Sequence, residues 1–438
     1  MLKTAIPTRN LVLFGIVACL FAYTGFVQSW NTSLQILTMG LLSAIMAMGV
    51  NMQWGYAGLF STGIVGSVAL GGLAVVLVSA DRDAAAWQAG GPSLLFALLI
   101  GVAAIGLAIA VYNRMKPGRM RGLTVSACII LGFFLYRYLF DAASVAIEAN
   151  DPATHGNIGG LGLNSLVAWP VGGLLAAIAA WAIGKVALGL REDYLAIATL
   201  GIAEIVITAM KSEDWLARGV KNVIGLPRPW PVPYEVDLQK DPGFLSFVSN
   251  WGLDPISTST ILVKLMYVVM FTMVLLLIVF LSERALNSPW GRMMRAIRDN
   301  EVSASAMGKD VKARHLQIFI IGSAVVGIAG AMMTSMDGQL TPGTYSPLRF
   351  TFLIWIMVIV GGSGNNWGAV LGGLLMGWLW LIAENAGSLF QNYIGVFLAD
   401  GPLKTHLIDI APQMRLPLLG IALLLVLRFS PRGLIPEK

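Results

Sequence analysis

The sequence predicts an all-α, polytopic integral membrane protein with roughly ten to twelve transmembrane helices. Three observations lead there. Of its 438 residues, 57% are apolar and only 12% charged, whereas soluble domains typically run about a quarter charged. Apolar runs close to the ~20 residues that a helix needs to cross hydrocarbon recur along the whole chain. The basic residues gather in short loops between those runs, which is what the positive-inside rule produces. Helices satisfy their own backbone groups in lipid, so the spans are read as helical.

On that ruler, spans are expected near 11–30, 33–52, 57–80, 93–113, 123–141, 168–188, 194–211, 260–281 and 315–335. A glycine-broken pair follows near 350–363 and 367–385, with a last span near 414–429. Residues 11–27 resemble a secretory signal in composition, but no small-x-small cleavage site follows, so they are read as a retained first span. The chain reads as one transmembrane domain over 1–438, its core near 33–430.

Loop charge sets the expected orientation. Segment 114–121 carries Arg114, Lys116, Arg119 and Arg121 without an acid, loop 282–314 carries seven basic residues, and the tail adds Arg428, Arg432 and Lys438. Loop 142–165 has no Lys or Arg, and loop 212–258 has four against six acids. Counting from a cytoplasmic N-terminus puts every basic loop inside, and the C-terminus with them.

Several classes are excluded. The formal charge of +6 follows from those inner loops, so no nucleic-acid partner is expected. Cys19 and Cys128 sit in apolar runs, and His155, His315 and His406 are far apart, which argues against a metal site. Gly184-Lys185-Val186 and Gly308-Lys309-Asp310 lack the closing Ser or Thr of a phosphate-binding loop, so the chain is expected to hydrolyse no ATP. No catalytic residues are assigned.

Glycine is abundant, at 49 residues. The run Val65 to Gly72 is typical of sites where helices either pack closely or slide, and composition alone leaves both open. Gly-rich turns at 55–66 and 361–373 stand at similar places and suggest an internal repeat.

Loop 282–314 is the most informative stretch. Ser288-Pro289 reads as an N-cap and first helical residue. The helix is expected to run from Trp290 through Glu301 toward a stop at Gly308. Trp290, Met293, Met294 and Ile297 share one face; Arg292, Arg295, Arg298 and Glu301 decorate the rest. Such a helix lies at lipid headgroups or docks on a partner.

The segment Glu301 to Gly308, with Ala304 inside it, resembles the acid–Ala–Ala–Gly coupling loop of ABC importer permeases. Ser288 to Gly308, Asn51 to Ser61, Arg191 to Gly201 and Val360 to Gly368 together are similar to LivM-type permeases of high-affinity branched-chain amino-acid importers. The resemblance implies an ABC importer permease fold in a bacterial inner membrane. It also implies a second homologous permease, two ATP-binding subunits that hold ATP and Mg, and a periplasmic solute-binding protein. This chain would carry no cofactor. Coupling to the ATPases would fall to Trp290, Arg292, Arg295, Arg298, Glu301, Ala304 and Gly308. The translocation pathway would be lined by Asn51, Gln53, Gly55, Tyr56, Thr199, Glu204, Gly361 and Gly362. There are departures. Gly63-Ile64-Val65 stands where relatives show Gly-His-Ala, and Gly361 to Asn365 replaces Gly-Gly-Leu-Gly-Ser. The pair near 93–141 is also longer than the usual pattern.

Glu204 falls about two and a half turns into its span, where a lone charge costs a few kcal/mol. It either meets solute or gates the pathway, or it pairs structurally with a neighbour. Arg137 and Lys185 are within snorkelling reach of a span end. Loop 212–258 carries Trp215, Trp230, Tyr234 and Trp251 among Pro227, Pro229, Pro231 and Pro233. It reads as a membrane belt or as a platform for the binding protein. Branched-chain amino acids are the first expectation for substrate, with urea, short amides or other amino acids as alternatives. An ion-coupled secondary transporter is the rival class. It would rely on buried acids such as Glu204 and Glu384, and would leave the inner helix without a role.

Overall fold

The computed structural model describes residues 8–150, 156–397, 401–410 and 415–437. His155, Lys438 and the side chain of Glu384 lie outside that description. Seven helices come first: α1 (Thr8–Val27), α2 (Trp30–Val50), α3 (Ile64–Ser79), α4 (Ala84–Arg114), α5 (Arg119–Glu148), α6 (Ser165–Ala187) and α7 (Glu192–Ser212). Short helices α8 (Asp214–Ala217), α9 (Glu235–Leu238) and α10 (Pro242–Asn250) lead to α11 (Pro255–Leu286). Then come α12 (Pro289–Asp299), α13 (Glu301–Ala306), α14 (Val311–Asp337), α15 (Leu353–Gly361), α16 (Asn366–Phe397), α17 (Pro402–Ile410) and α18 (Arg415–Phe429). Single π-helical turns at Asn51–Gly55 and Leu348–Phe352 end α2 and open α15. Strands β1 (Val223–Ile224) and β2 (Gln339–Leu340) form one antiparallel pair.

Among the described residues, nine helices are long and apolar enough to cross a membrane, and three shorter apolar ones lie at 64–79, 348–361 and 416–429. The protein is therefore all-α and polytopic, and the nine long helices with the three shorter ones fall on the twelve segments that the sequence marks. Local chemistry sets the boundaries. Asp83 accepts from the N–H groups of Ala85 and Ala86 to start α4, and Asp254 accepts from Ser257 at 2.8 Å ahead of Pro255 to start α11. Gly338, at φ +64°, ends α14 in the left-handed cap that glycine adopts without strain.

Two expectations are corrected. The span expected at 57–80 is helical only from Ile64; residues 56–63 form a turn and an extended stretch buried inside the protein. Such backbone survives in an apolar interior only when its polar groups are paired, and here three side chains from elsewhere in the chain pair them, as described below. The inner helix expected to continue past Glu301 instead breaks at Asn300. That residue is extended (φ −157°), and its side chain accepts from Ser303 N–H at 2.9 Å, capping α13 as a separate helix. Pro289 does open α12, but the Ser288 hydroxyl donates back to Ala285 rather than capping forward.

The core is formed by α2, α3, α6, α14, α15 and α16, and it is held together by glycine. A Cβ built on Gly71 would collide with the Gly327 carbonyl, and one on Gly327 with Gly172 and Ala176, so α3, α6 and α14 meet backbone to backbone. Gly71→Val is expected to cost about 1–3 kcal/mol by overpacking. The check is a lowered Tm for the purified chain, read by tryptophan fluorescence. By contrast, α4 and α5 pack chiefly on each other and touch the rest of the molecule through Trp215 and its neighbours. Their outward faces (Val102 69% exposed, Leu131 70%) present apolar surface, as lipid-facing helices do.

Candidate functional site: a polar junction beneath α12 and α13

At the end of the molecule that carries the basic loop, α12 lies against the ends of the spanning helices. Met294 and Ile297 are buried, and Gly291 is pressed so closely on Leu286 that no side chain would fit. Trp290 and Met293 are half-buried on the same side. The Trp290 indole N–H donates to Gln317 at 3.4 Å, and Arg292 and Arg295 donate to the carbonyls of Asn287 and Leu286, each at 3.4 Å. Glu301 is exposed in the first turn of α13. Ala304 is buried with Ile297 and Val311, and Gly308 closes the loop at φ +77°.

Arg298 departs from the decorating role that the sequence suggests, because it points inward. Its Nη1 donates to the Gly55 carbonyl at 2.6 Å and to Glu437 Oε2 at 2.8 Å. Burial pulls the guanidinium down, but the contacts with Glu437 and Asp299 outweigh it and hold it above its ordinary value. One residue thus ties the amphipathic helix to the end of α2 and to the C-terminal tail. The tail is itself strapped down: Leu434 and Ile435 donate to the carbonyls of Val360 and Gly361 at 2.9 and 2.8 Å. Gly362 sits at φ +116° against the Ile435 carbonyl, a position only glycine fills.

Directly inward lies a closed set of polar side chains. Asn51 is fully buried; its Oδ1 accepts from Gly364 N–H at 2.9 Å and its Nδ2 donates to Asn366 Oδ1 at 3.4 Å. The Tyr56 hydroxyl donates to the same Asn366 oxygen at 3.0 Å, and Asn366 Nδ2 donates to Glu283 Oε1 at 3.0 Å. The junction therefore joins α2, the turn before α16 and the last turn of α11, directly beneath α12 and α13.

Deeper in, the non-helical stretch is held by side chains from α7 and from α15 with its opening turn. Thr62 N–H donates to Thr199 Oγ1 at 3.1 Å, and the Thr62 hydroxyl donates to the Ala196 carbonyl at 2.6 Å. Thr351 accepts from Val65 N–H and donates to the Thr62 carbonyl, while the Trp355 indole donates to the Ser61 carbonyl at 3.0 Å. Gln53 donates to the Phe319 carbonyl and to Ser323 at 3.1 and 3.0 Å. A small cavity lies here, lined by Gln53, Ser61, Gly63, Ser67 and Thr199.

Seven of the eight expected pathway residues thus fall in two linked layers: Asn51, Gly55, Tyr56, Gly361 and Gly362 in the junction, Gln53 and Thr199 above it. Glu204 is apart, on the exposed outer face of α7. Sequence reasoning missed Glu283, Asn366 and Glu437 in the junction, Thr62, Thr351 and Trp355 above it, and the exposed apolar Val302 and Met307 (each 80%) on α13 and its end. No metal-holding group of His, Cys, Asp or Glu occurs among the described residues.

Residues 156–427 match the family model of the branched-chain amino acid transport system permease component. The chain belongs to this family. It is 28% identical over 270 residues to the probable branched-chain amino acid transport permease protein LivM of Methanocaldococcus jannaschii, covering 60% of this chain and 67% of that protein. It is 28% identical over 260 residues to the LivM permease protein of the high-affinity branched-chain amino acid transport system of Escherichia coli K12, covering 59% and 58%. A LivH permease protein of M. jannaschii is 31% identical over 149 residues, a third of this chain and 44% of that protein. The chain thus spans about three fifths of the length of the E. coli LivM relative. No solved structure matches. The matched stretch of this permease contains α7, α12, α13 and the turn at 361–366; α4 and α5 lie before it.

Proposed function

We propose that this permease is one of two transmembrane subunits of an ATP-driven importer for branched-chain or related amino acids. ATP and Mg are bound and hydrolysed by a pair of partner subunits, and this chain carries no cofactor. The observation that carries the reading is the two-helix loop of α12 and α13. It exposes Val302 and Met307 at one end while its inward Arg298 reaches both the end of α2 and the C-terminal tail. A surface helix with no partner would have no use for that inward linkage.

In this reading the apolar tip, with Glu301 beside it, docks on an ATPase subunit at the cytoplasmic face. Closure of the ATPase pair pushes on α12, and Arg298 passes the displacement to the Asn51–Asn366–Glu283 junction. The chemistry suits a gate, because each amide there has its bonds filled in one arrangement and a shift must exchange several together. The opposite end receives solute from a periplasmic binding protein on the platform of residues 213–254. There Arg228 pairs with Glu235 at 2.9 Å, and Trp230 and Trp251 stand out at 70% and 71% exposure. Both termini lie in the cytoplasm, and the pathway runs between this chain and its partner permease.

The test is purification of the tagged chain from its native membrane in mild detergent, with identification of its companions. Two ATP-binding subunits and a second permease are expected, with ATPase activity raised by binding protein loaded with leucine, isoleucine or valine. A chain that purifies alone and drives uptake into liposomes on an ion gradient overturns the proposal.

A further inference from the structure

We infer that the outer face of α7 is the seam against the second permease subunit, and that Glu204 receives a hydrogen-bond donor or cation from a transmembrane helix of that subunit. The inference rests on the two-permease reading above and adds which surface meets the partner.

α7 is divided cleanly along its length. Leu195, Thr199, Ala203, Ile207 and Met210 are buried against the rest of the chain. On the other side Tyr194, Ile197, Gly201, Glu204, Ile205 and Thr208 are exposed, at the three- and four-residue spacing that places them on one stripe. If that stripe faced lipid it would be apolar throughout, as on α4 from Leu95 to Ile109. Instead it has a carboxylate at its centre. Glu204 lies eleven residues from Asp193 and eight from Ser212 in a span running between those two. At 1.5 Å per residue, that is about 12–17 Å from either end, too far for its short side chain to reach water by snorkelling.

Two other charges on the spanning helices are answered within the chain. Arg137 pairs with Asp141 at 3.1 Å, and Lys264 donates to the Asn31 carbonyl and to Gln35 Oε1 at 3.3 and 3.1 Å. Glu204 makes no hydrogen bond or ion pair among the described residues. A carboxylate in hydrocarbon faces protein or water, and no described residue of this chain supplies that protein partner. The rest of the stripe suits a helix as that counterpart. A Cβ on Gly201 would meet nothing within 4 Å, which leaves room for a close crossing, and Thr208 adds a hydroxyl one turn on.

The experiment uses the assembled transporter in its own membrane, with Cys19 and Cys128 replaced by serine. Single cysteines at Ile197, Ile205 or Thr208 on α7, and at Val102 or Leu131 as lipid-facing controls, are labelled with a photoactivatable maleimide and irradiated. Crosslinks to the second permease are expected from the α7 positions and not from the controls. Glu204→Leu is expected to weaken recovery of that subunit about three- to twenty-fold, the range of measured interhelical hydrogen bonds. Glu204→Gln, which still accepts a hydrogen bond, is expected to fall between it and the native chain. If the second permease co-purifies while α7 crosslinks only to lipid or to another copy of this chain, the seam is wrong and the importer reading stands. If no second permease is recovered with the native chain, both fall.

Discussion

Arg298→Ala is expected to remove at least nine-tenths of solute uptake while the ATPase subunits remain bound and active. One guanidinium nitrogen holds the Gly55 carbonyl at 2.6 Å and Glu437 at 2.8 Å, joining three segments distant in sequence. Hydrogen bonds to charged groups are worth about 1.5–3 kcal/mol each, and a loss of 1.4 kcal/mol is already tenfold in an equilibrium constant. The side chain is 24% exposed, so screening trims this value without cancelling it. The exposed tip of α13 is untouched, so docking persists and the force fails to arrive. The measurement is the ratio of solute imported to ATP hydrolysed in proteoliposomes. A purely structural role would lower both together; a coupling role lowers the ratio. Arg298→Lys, which keeps the charge but offers a single point of contact, is expected to restore part of it. Reversing Arg295 and Glu301 together tests the exposed side of the same element, and unchanged uptake there would remove those two residues from the coupling set.

How much of this was legible in the sequence depends on the range of the interaction. The spans were legible because length and apolarity are local, but the starts moved from 93 to 84 and from 260 to 255 where the caps Asp83 and Asp254 were overlooked. The stretch 57–63 was not. An apolar run reads as helix until it is known that Thr199, Thr351 and Trp355 are available to bond its backbone, and these lie more than a hundred residues away. The break at Asn300 did leave a signal, since Asn followed directly by an acid suits an N-cap and first turn better than a helix interior. Arg298 left one too. It is four residues beyond buried Met294 and seven beyond buried Gly291, hence on the inward stripe, although its partners Gly55 and Glu437 could not be named. Glu204 was recognised as a mid-span acid, but which side of α7 it occupies was set by which residues pack on α3, and Ala203 against Gly66 decides that.

Asn366→Asp is expected to disrupt the junction more severely than any other single-atom change in the chain, and Glu283→Gln is expected to repair it. In the native arrangement Asn366 uses both ends of its amide, accepting from Tyr56 and Asn51 through Oδ1 and donating to Glu283 through Nδ2. The aspartate has no N–H to offer, so two carboxylates face each other across the 3.0 Å now spanned by a hydrogen bond, in a residue only 1% exposed. The lost bond to a charged group alone costs about 1.5–3 kcal/mol, and the repulsion between like charges adds to it where water is excluded. The check is thermal unfolding of the purified chain, with uptake measured alongside. The single variant is expected to unfold several degrees lower and to transport poorly. In the double variant the Gln amide donates to the new aspartate, reversing the direction of the bond and restoring most of both. If the double variant were no better than the single, the Asn366–Glu283 contact would not be the one that holds the junction. Glu283→Gln alone separates the contributions, because a neutral amide there still offers an oxygen to Asn366 Nδ2. Its penalty is expected to be much smaller, so the junction depends on the pattern of donors and acceptors rather than on the charge of Glu283. That dependence is what lets a small displacement of Arg298 next to it act on α2, α11 and α16 at once.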